Sequence, residues 1–584
     1  MCEVLFVTPS FEEKIYDECM GTLLLATIVK QKGINAEILR FWQIGSLDNY
    51  ERFLQNAIDI IRMKHPRIVC FYMRCDTDVV MLNIAHGIKK TDSEIYVILG
   101  GPQSSLTARD LVDEIDYIDF ICKGEGETTI YPILDALLND KSYQNIPGLV
   151  WKQNGIIYEN PDVKLVENLD DNPMIDYSLI PIKFEQSTKN IWTLDNITLD
   201  AGRGCPYGCT YCSTKTFWKR KYRLKTNKKL IEEIIHAINE TGCRHFLFNH
   251  DLFTADRRRI ESFCNELIKN RLDVKWTCSS RVDTIDEELI LLMKKAGMEK
   301  VFFGVETGSK RMQKMINKNI DVEKVIALIK FLGKNGIFST TSFIYGFPEE
   351  SEEDIEDTLK LIIELLGYPF NQVITHLLAI ETGTEMFEKY KSDLVFSAKY
   401  SDVTEGFGRD YNMNFIIEHP KLFPHFLEYH TDLRDELEYI PHFVGVFSRF
   451  YHTMYYMYAY FHEKKGMKFY RDFVSVNSKK LAALSKTRAL KDLLKNPELL
   501  LHNLLAKYED NCYYEVIKEL LRFETDRFNM QVNEVCEFIE IYNFDYLEVM
   551  NKSDLKSVSA KKSQICLKKN NESDMMRINL LKYI

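Results

Sequence analysis

No apolar run in this 584-residue sequence reaches the length that spans a bilayer, which argues against a membrane-embedded function. The opening stretch, Met1–Lys14, has no basic segment followed by an apolar core and a small-residue cleavage site, so a cytoplasmic protein is expected. An excess of positive charge is also missing. The formal net charge is −11, which argues against binding by neutralisation of long tracts of nucleic-acid phosphate. No internal repeat of solenoid length is visible. A disulfide framework is not expected either. Eleven of the 14 cysteines are scattered, several inside apolar runs where a reduced thiol packs as a small hydrophobe. What is present is 45% hydrophobic residues at a mean hydropathy of −0.24, a soluble globular composition. The length suits about two to four domains.

The first part alternates strand and helix patterns. Strands are expected at Glu3–Pro9, Ala36–Phe41, Arg67–Met73, Ile95–Leu99 and Tyr117–Cys122, with helical periods between them. Five such alternations predict a doubly wound, flavodoxin-like α/β domain over residues 1–146. Residues 147–190 carry Pro147, Pro161, Pro173 and Pro181 and read as a linker with a small hairpin. A second alternating series, with strands from Ile197–Ala201 to Val373–Leu378, predicts a full or partial (β/α) barrel over 191–395. Helical patterns dominate 396–550, including Leu422–His430, Pro441–His462, Lys479–Leu494 and Val532–Ile541. A Lys-, Ser- and Asn-rich tail, expected to be mobile, fills 551–584.

The segment Arg203–Cys212 spaces its cysteines C-x3-C-x2-C. Thiolates are soft ligands suited to iron–sulfur clusters, and three of them leave one iron of a cubane open to a further ligand. A structural zinc site would need a fourth ligand and usually shows a second cysteine pair. Gly204 and Gly208 give the loop backbone freedom.

These residues resemble the signature of the radical S-adenosylmethionine (SAM) superfamily, down to the aromatic Tyr211 before the last cysteine. The resemblance runs through roughly Asn196–Tyr390. Asn249, His250 and Asp251 sit where the family's second strand ends near the methionyl part of the cofactor, in an Asp-x-Phe variant of the usual Gly-Gly-Glu pattern. Gly304, Glu306 and Thr307 end the fourth strand, a position the family uses for ribose and carboxylate. Ser342–Glu349 is similar to the adenine-binding G-x-I-x-G-x-x-E stretch, with Ile344 and Gly346 kept and Ser342 replacing the first glycine. The resemblance implies a 4Fe–4S cluster on Cys205, Cys209 and Cys212, the catalytic metal ligands, with SAM on the open iron. It further implies reductive cleavage of SAM to a hydrogen-abstracting 5′-deoxyadenosyl radical, and a low-potential electron donor such as flavodoxin or ferredoxin.

The front domain resembles the cobalamin-binding domain of the B12-dependent branch of that superfamily. The resemblance rests on strand ends, where doubly wound sheets bind ligands. They are Pro9 and Ser10; Gly21 opening the first helix; Tyr72, Met73 and Arg74; Gly100, Gly101 and Gln103; and Gly124, Glu125 and Gly126. The Asp-x-His-x-x-Gly motif that supplies a histidine to cobalt in many corrinoid proteins is absent from this part. If cobalamin binds, methylation of an unactivated centre in a small metabolite or peptide is the implied reaction. Ring formation, rearrangement or RNA modification with the front domain as scaffold is the alternative. A non-enzymatic corrinoid or redox sensor is a third. The aromatic run Phe450–Phe473 reads as a buried helix face and as a lid over a substrate pocket. The short basic run Lys219–Lys225 reads as a solvated loop.

Overall fold

The computed structural model describes residues 2–11, 19–180, 196–398, 404, 406–484, 497–532, 537–542, 563–569 and 576–583. The expected linker residues 181–190, and positions 485–494 of the expected helix Lys479–Leu494, lie outside them. The chain divides into two compact units. The first holds 1–186, 195–299 and 379–430, and the second holds 187–194, 300–378 and 431–584.

The first unit is built on a seven-stranded sheet. Its strands are β1 (Val4–Thr8), β2 (Ala36–Arg40), β3 (Ile68–Tyr72), β4 (Tyr96–Gly100), β5 (Phe120–Cys122), β6 (Leu149–Gln153) and β7 (Ile156–Glu159). The order is 2-1-3-4-5-6-7, and the first five are parallel. This 2-1-3-4-5 core is the flavodoxin-like order, which puts the ligand crevice at the carboxyl ends beside β1 and β3. β1 is buried along its whole length, as a central strand covered on both faces must be, and its sequence, VLFVT, is apolar throughout except for Thr8. The expected hairpin is present, but β6 pairs antiparallel with β5, so the hairpin extends the sheet. Leu149, Val150 and Trp151 are buried, which makes the sheet edge a better place for them than a solvated linker.

Phe407, Ile416, Leu422, Phe423 and Phe426 join the core of this same sheet. The Phe407 ring packs 4.9 Å from Phe53 and 5.4 Å from Tyr50. Residues 406–430 therefore pack with the front domain, not with the C-terminal helices that the sequence pattern groups them with.

The first unit also carries three parallel strands, β8 (Ile197–Asp200), β11 (His245–Asn249) and β12 (Lys275–Ser280). Between β8 and β11 a two-stranded antiparallel ribbon pairs β9 (Gly202–Arg203) with β10 (Arg223–Leu224). The ribbon closes the loop that contains the three spaced cysteines.

The second unit continues the parallel pattern with β13 (Met298–Glu306), β14 (Phe338–Tyr345) and β15 (Asn371–Leu377). Connecting helices Val322–Lys334 and Glu352–Leu366 begin at side-chain caps, Asp321 and Ser351. Further helices follow at Ile440–Arg449, Tyr451–Tyr460, Gly466–Leu484, Glu498–Ala506 and Tyr514–Val532.

Three expectations for this half of the chain change. Leu422–His430 is not a helix; it forms a short turn at Pro424–Phe426 and a strand, Leu427–Glu428 (β17), paired with Val395–Phe396 (β16). Glu537–Tyr542 (β18), part of the expected helix Val532–Ile541, is a strand; Phe538, Ile539, Ile541 and Tyr542 are all β-favouring residues. β18 pairs antiparallel with Ser563–Lys569 (β19), and β19 with Met576–Tyr583 (β20), so the expected mobile tail supplies two strands of a sheet.

Candidate active site

The cysteine loop is held by its backbone first. Gly204 has φ of +91°, and a Cβ there would stand 1.9 Å from the Lys221 carbonyl oxygen, so only glycine fits. Its N–H donates to Asp251 Oδ2 at 2.7 Å. The loop then turns on itself, with Cys212 N–H donating to Cys209 O. The segment 383–386 braces it from outside: Thr216 Oγ1 donates to Gly383 O, and Met386 N–H donates to Thr210 O.

Cys205, Cys209 and Cys212 are all half-buried. Burial, with Cys212 and Cys209 nearby, pushes the Cys205 thiol up to about 11. Burial also raises Cys212, whose sulfur pairs with Thr214 Oγ1 at 2.6 Å. At Cys205 and Cys212 burial favours the protonated thiol; an electropositive metal centre would reverse that balance and take them as thiolates. Among the described residues, no three His, Cys, Asp or Glu side chains converge as a single-ion site demands. Three soft thiols on one short loop, each able to take a different iron, fit an iron–sulfur cluster better than a zinc ion.

Next to this loop, within the same unit, lies a cavity of about 500 Å³. One wall is the carboxyl end of the front sheet: Phe6, Phe71, Tyr72, Ile98, Gly100 and Gly101, then Gly124, Glu125 and Gly126, with Gly21 and Leu25 from the first helix. The opposite wall comes from β8, β9, the residues after Cys212, and Asn249, His250 and Asp251 after β11. A Cβ on Gly21 would meet nothing within 4 Å, and Gly101 holds a φ of +102°. Gly21 leaves its stretch of wall open, Gly101 is demanded by its backbone and by the Met73 carbonyl that a Cβ would approach to 2.8 Å, and the volume lies within the range of small-molecule sites.

Of the residues expected around cobalamin, Gly21, Tyr72, Gly100, Gly101, Gly124, Glu125 and Gly126 line this cavity. Pro9, Ser10, Met73, Arg74 and Gln103 are not among its lining residues. Pro9 is buried; Ser10 pairs with Thr8; Met73 is buried; Arg74 forms an ion pair with Asp76; and Gln103 donates to Leu422 O. Asn249, His250 and Asp251, expected around SAM, line the same cavity. His250 is buried against Tyr222, and desolvation pushes its pKa down to about 4, so the imidazole is neutral. Tyr211 is half-buried beside Cys212.

The remaining expected SAM residues lie in the second unit. Gly304 and Ser342 are in register on β13 and β14, and the register slips between Gly304 and Glu306. Glu306 has φ of +71° and is paired with Lys318 at 2.8 Å. Thr307 pairs with Thr358. Ile344 is half-buried, and Gly346 N–H donates at 2.6 Å to Glu350 Oε2, so the carboxylate that folds back on this turn is Glu350, one residue beyond the expected Glu349.

Sequence reasoning missed the ion-pair network behind the cavity wall. Glu125 Oε1 accepts from Arg203 at 2.7 Å and from Arg223 at 2.8 Å, and Oε2 accepts from Val166 N–H at 2.6 Å. Arg203 also reaches Glu127 and Asp200. Burial works to raise the Glu125 pKa, but the hydrogen bonds from Arg223 and Arg203 outweigh it and hold the carboxyl below its ordinary range. Lys225 is buried against Glu233 at 2.7 Å. Two of the cations in the expected solvated run are thus internal. Arg223 answers Glu125, far upstream, which no local pattern connects to it, and Lys225 answers Glu233, on the helix that follows.

Residues 200–362 match the radical SAM superfamily. An uncharacterised methyltransferase of Pyrococcus horikoshii is 30% identical over 309 residues, covering 52% of this chain and 66% of that protein. The anaerobic magnesium-protoporphyrin IX monomethyl ester cyclase of Rubrivivax gelatinosus is 31% identical over 280 residues, covering 47% and 50%. The hopanoid C-3 methylase of Methylococcus capsulatus is 25% identical over 345 residues, covering 58% and 63%. The match thus spans about half to two thirds of the length of these relatives. Among solved structures, the radical SAM methyltransferase TsrM of Kitasatospora setae, with cobalamin and a 4Fe–4S cluster bound, aligns with TM-score 0.54 at 15% identity over 70% of this chain and 79% of its own. The cobalamin-dependent radical enzyme OxsB aligns with TM-score 0.56 at 15% identity over 90% and 83%. These two likenesses establish a shared fold. No helix among the described residues is long and apolar enough to cross a membrane.

Proposed function

The chain belongs to the radical SAM superfamily, and from that premise we propose that it is a cobalamin-dependent methyltransferase acting on an unactivated centre of a small metabolite or peptide. The observation that carries this reading is the cavity whose one wall is the glycine-rich carboxyl end of a flavodoxin-like sheet and whose other wall flanks the three-cysteine loop.

Cys205, Cys209 and Cys212 would hold the cluster. When bound, the cluster supplies the electron that cleaves SAM and releases an adenosyl radical. The front cavity would hold cobalamin, which supplies a transferable methyl group. The chain's own residues do the positioning. Asp251 fixes the start of the cysteine loop through Gly204 N–H. Glu125 ties the loop after β5 to the ribbon β9–β10 that closes the cysteine loop. His250 is neutral, and Phe6, Leu25 and Phe71 give the cavity apolar surface beside the ion pairs of Glu125 and Arg203. Glu306 and Gly346, on neighbouring strand ends of the second unit, are assigned to the ribose and adenine of SAM. We place the protein in the reducing cytoplasm, with a flavodoxin or ferredoxin as electron donor.

The similarity to a magnesium-protoporphyrin ester cyclase supports a second reading, ring formation. Product mass separates the two, because only methylation adds a carbon. The test of the cofactor set is anaerobic reconstitution with iron, sulfide and hydroxocobalamin, removal of unbound corrinoid, and an absorption spectrum. Corrinoid bands should persist in a variant with Cys205, Cys209 and Cys212 all changed to Ala, while the broad iron–sulfur absorbance should be lost. A parent that takes up cluster but no corrinoid would remove methyl transfer from cobalamin.

A further inference from the structure

Arg281 stands at the end of β12, and its side chain is buried to 5% exposure. Its guanidinium lies 3.8 Å from the centre of the Tyr207 ring. Tyr207 is inside the cysteine loop, two residues after Cys205 and two before Cys209. Asp283 holds the other side of the group with two hydrogen bonds of 2.9 Å.

The backbone under Arg281 is fixed as well. Thr284 Oγ1 donates to Arg281 O at 2.9 Å, and Ser280 Oγ lies 3.2 Å from the same oxygen. Thr254, fully buried, pairs with both hydroxyls at 2.7 Å. Three hydroxyl side chains therefore preorganise a turn whose projecting group is a cation. An arginine stacked on a ring inside the loop keeps its charge at any working pH, and its planar fork suits both the ring and the carboxylate.

We propose that Arg281 is a positioning residue that places a fixed positive charge beside the cluster and raises its reduction potential. The inference rests on the cluster assignment made above. Reduction from the 2+ to the 1+ state adds one electron to an already anionic cluster-thiolate unit. A nearby cation stabilises that reduced form more than the oxidised one. Burial reduces solvent screening of the guanidinium. Asp283 opposes the effect and tempers it. The functional consequence is a less negative potential, and so a cluster easier for a low-potential donor to reduce.

The test is a mediated dithionite titration of the reconstituted full-length protein, without SAM, followed by electron paramagnetic resonance of the reduced cluster. Arg281→Met is expected to shift the midpoint to more negative values, and Asp283→Asn to more positive ones. Arg281→Lys should stay near the parent. Opposite shifts from two adjacent substitutions are something a purely structural role would not produce. If Arg281→Met loses the cluster, Asp283→Asn and Arg281→Lys still carry the test. Parent-like potentials at full cluster loading overturn the proposal, as do shifts of the same sign, or a loss of SAM affinity with no change in potential. Failure of the parent itself to take up iron and sulfide is a separate result, read from metal content, and it strikes at the cluster assignment.

Discussion

Two glycines of the candidate site have opposite tolerances, and both follow from what a methyl group would meet. At Gly204 a Cβ would collide with the Lys221 carbonyl at 1.9 Å, in a left-handed backbone that non-glycine residues reach only at a cost of about 1–3 kcal/mol. Gly204→Ala should lower thermal stability and cut the iron bound per chain, because the residue next to Cys205 must move. At Gly21 the added methyl meets nothing within 4 Å, and helical Ala is favoured over Gly by roughly 0.8–1 kcal/mol. Gly21→Ala should therefore fold as well as the parent or better, yet weaken corrinoid uptake, since its methyl projects from the cavity wall. Equilibrium dialysis with hydroxocobalamin and a melting curve separate the two outcomes. Equal loss of stability in both variants would contradict the geometry. At this scale the three-cysteine spacing and the glycines that follow the strands are readable in the sequence, and the family resemblance supplies the roles proposed for them. The pairing of Glu125 with Arg203 and Arg223, and the contact of Arg281 with Tyr207, are not, because contacts across long sequence separation leave no local pattern.

Elements set the environment of a second group. Glu350 sits on the turn after β14, where Oε2 accepts from the backbone N–H groups of Gly346 and Phe347 and Oε1 is enclosed without a partner. Desolvation dominates those two hydrogen bonds and pushes the carboxyl up to about 8. The unfolded chain titrates near 4.5, so between the two values the folded state holds a proton that the unfolded state releases. Stability contributed by this group is complete below pH 4.5 and declines as pH rises through about 8. Glu350→Gln keeps an acceptor oxygen for both N–H groups and removes the titration. Its melting temperature should match the parent near pH 5 and exceed it at pH 8.5, and a constant difference across that range would refute the assignment.

The alternation of strand and helix around this turn is readable from hydrophobic period, and five such alternations in the front domain point to the flavodoxin-like class whose strand order the sheet has. The hairpin β6–β7 was read correctly as a hairpin, but its attachment to β5 was not, because register between distant strands depends on which faces are buried. The strand β18 was mistaken for a helix because six apolar and acidic residues satisfy either period over so short a window.

For the whole molecule, an unfolding midpoint registers a change in stability without saying where in the two compact units it falls. Local exchange is the better observable. Glu125 is the shared carboxylate of Arg203 and Arg223, and both arginines are largely buried, with side-chain exposures of 12% and 8%. The two arginines differ in what remains if Glu125 is neutralised. Arg203 keeps Glu127 and Asp200. Arg223 keeps the Val166 carbonyl and the Trp218 ring, but no other carboxylate paired with it is found among the described residues. Leaving a buried cation without its counter-charge costs about 3–5 kcal/mol when the partner is removed outright. Glu125→Gln should therefore loosen β10 more than β9. Hydrogen exchange measured by mass spectrometry should speed up in peptides spanning 163–167 and 221–225, rise less in 200–204, and stay at parent values in 300–306 and 440–460. The loss is confined because the network lies wholly in the first unit. A uniform acceleration across all of these peptides would mean that Glu125 supports the global fold, and the ribbon would then have no special claim as the element that ties the front sheet to the cysteine loop.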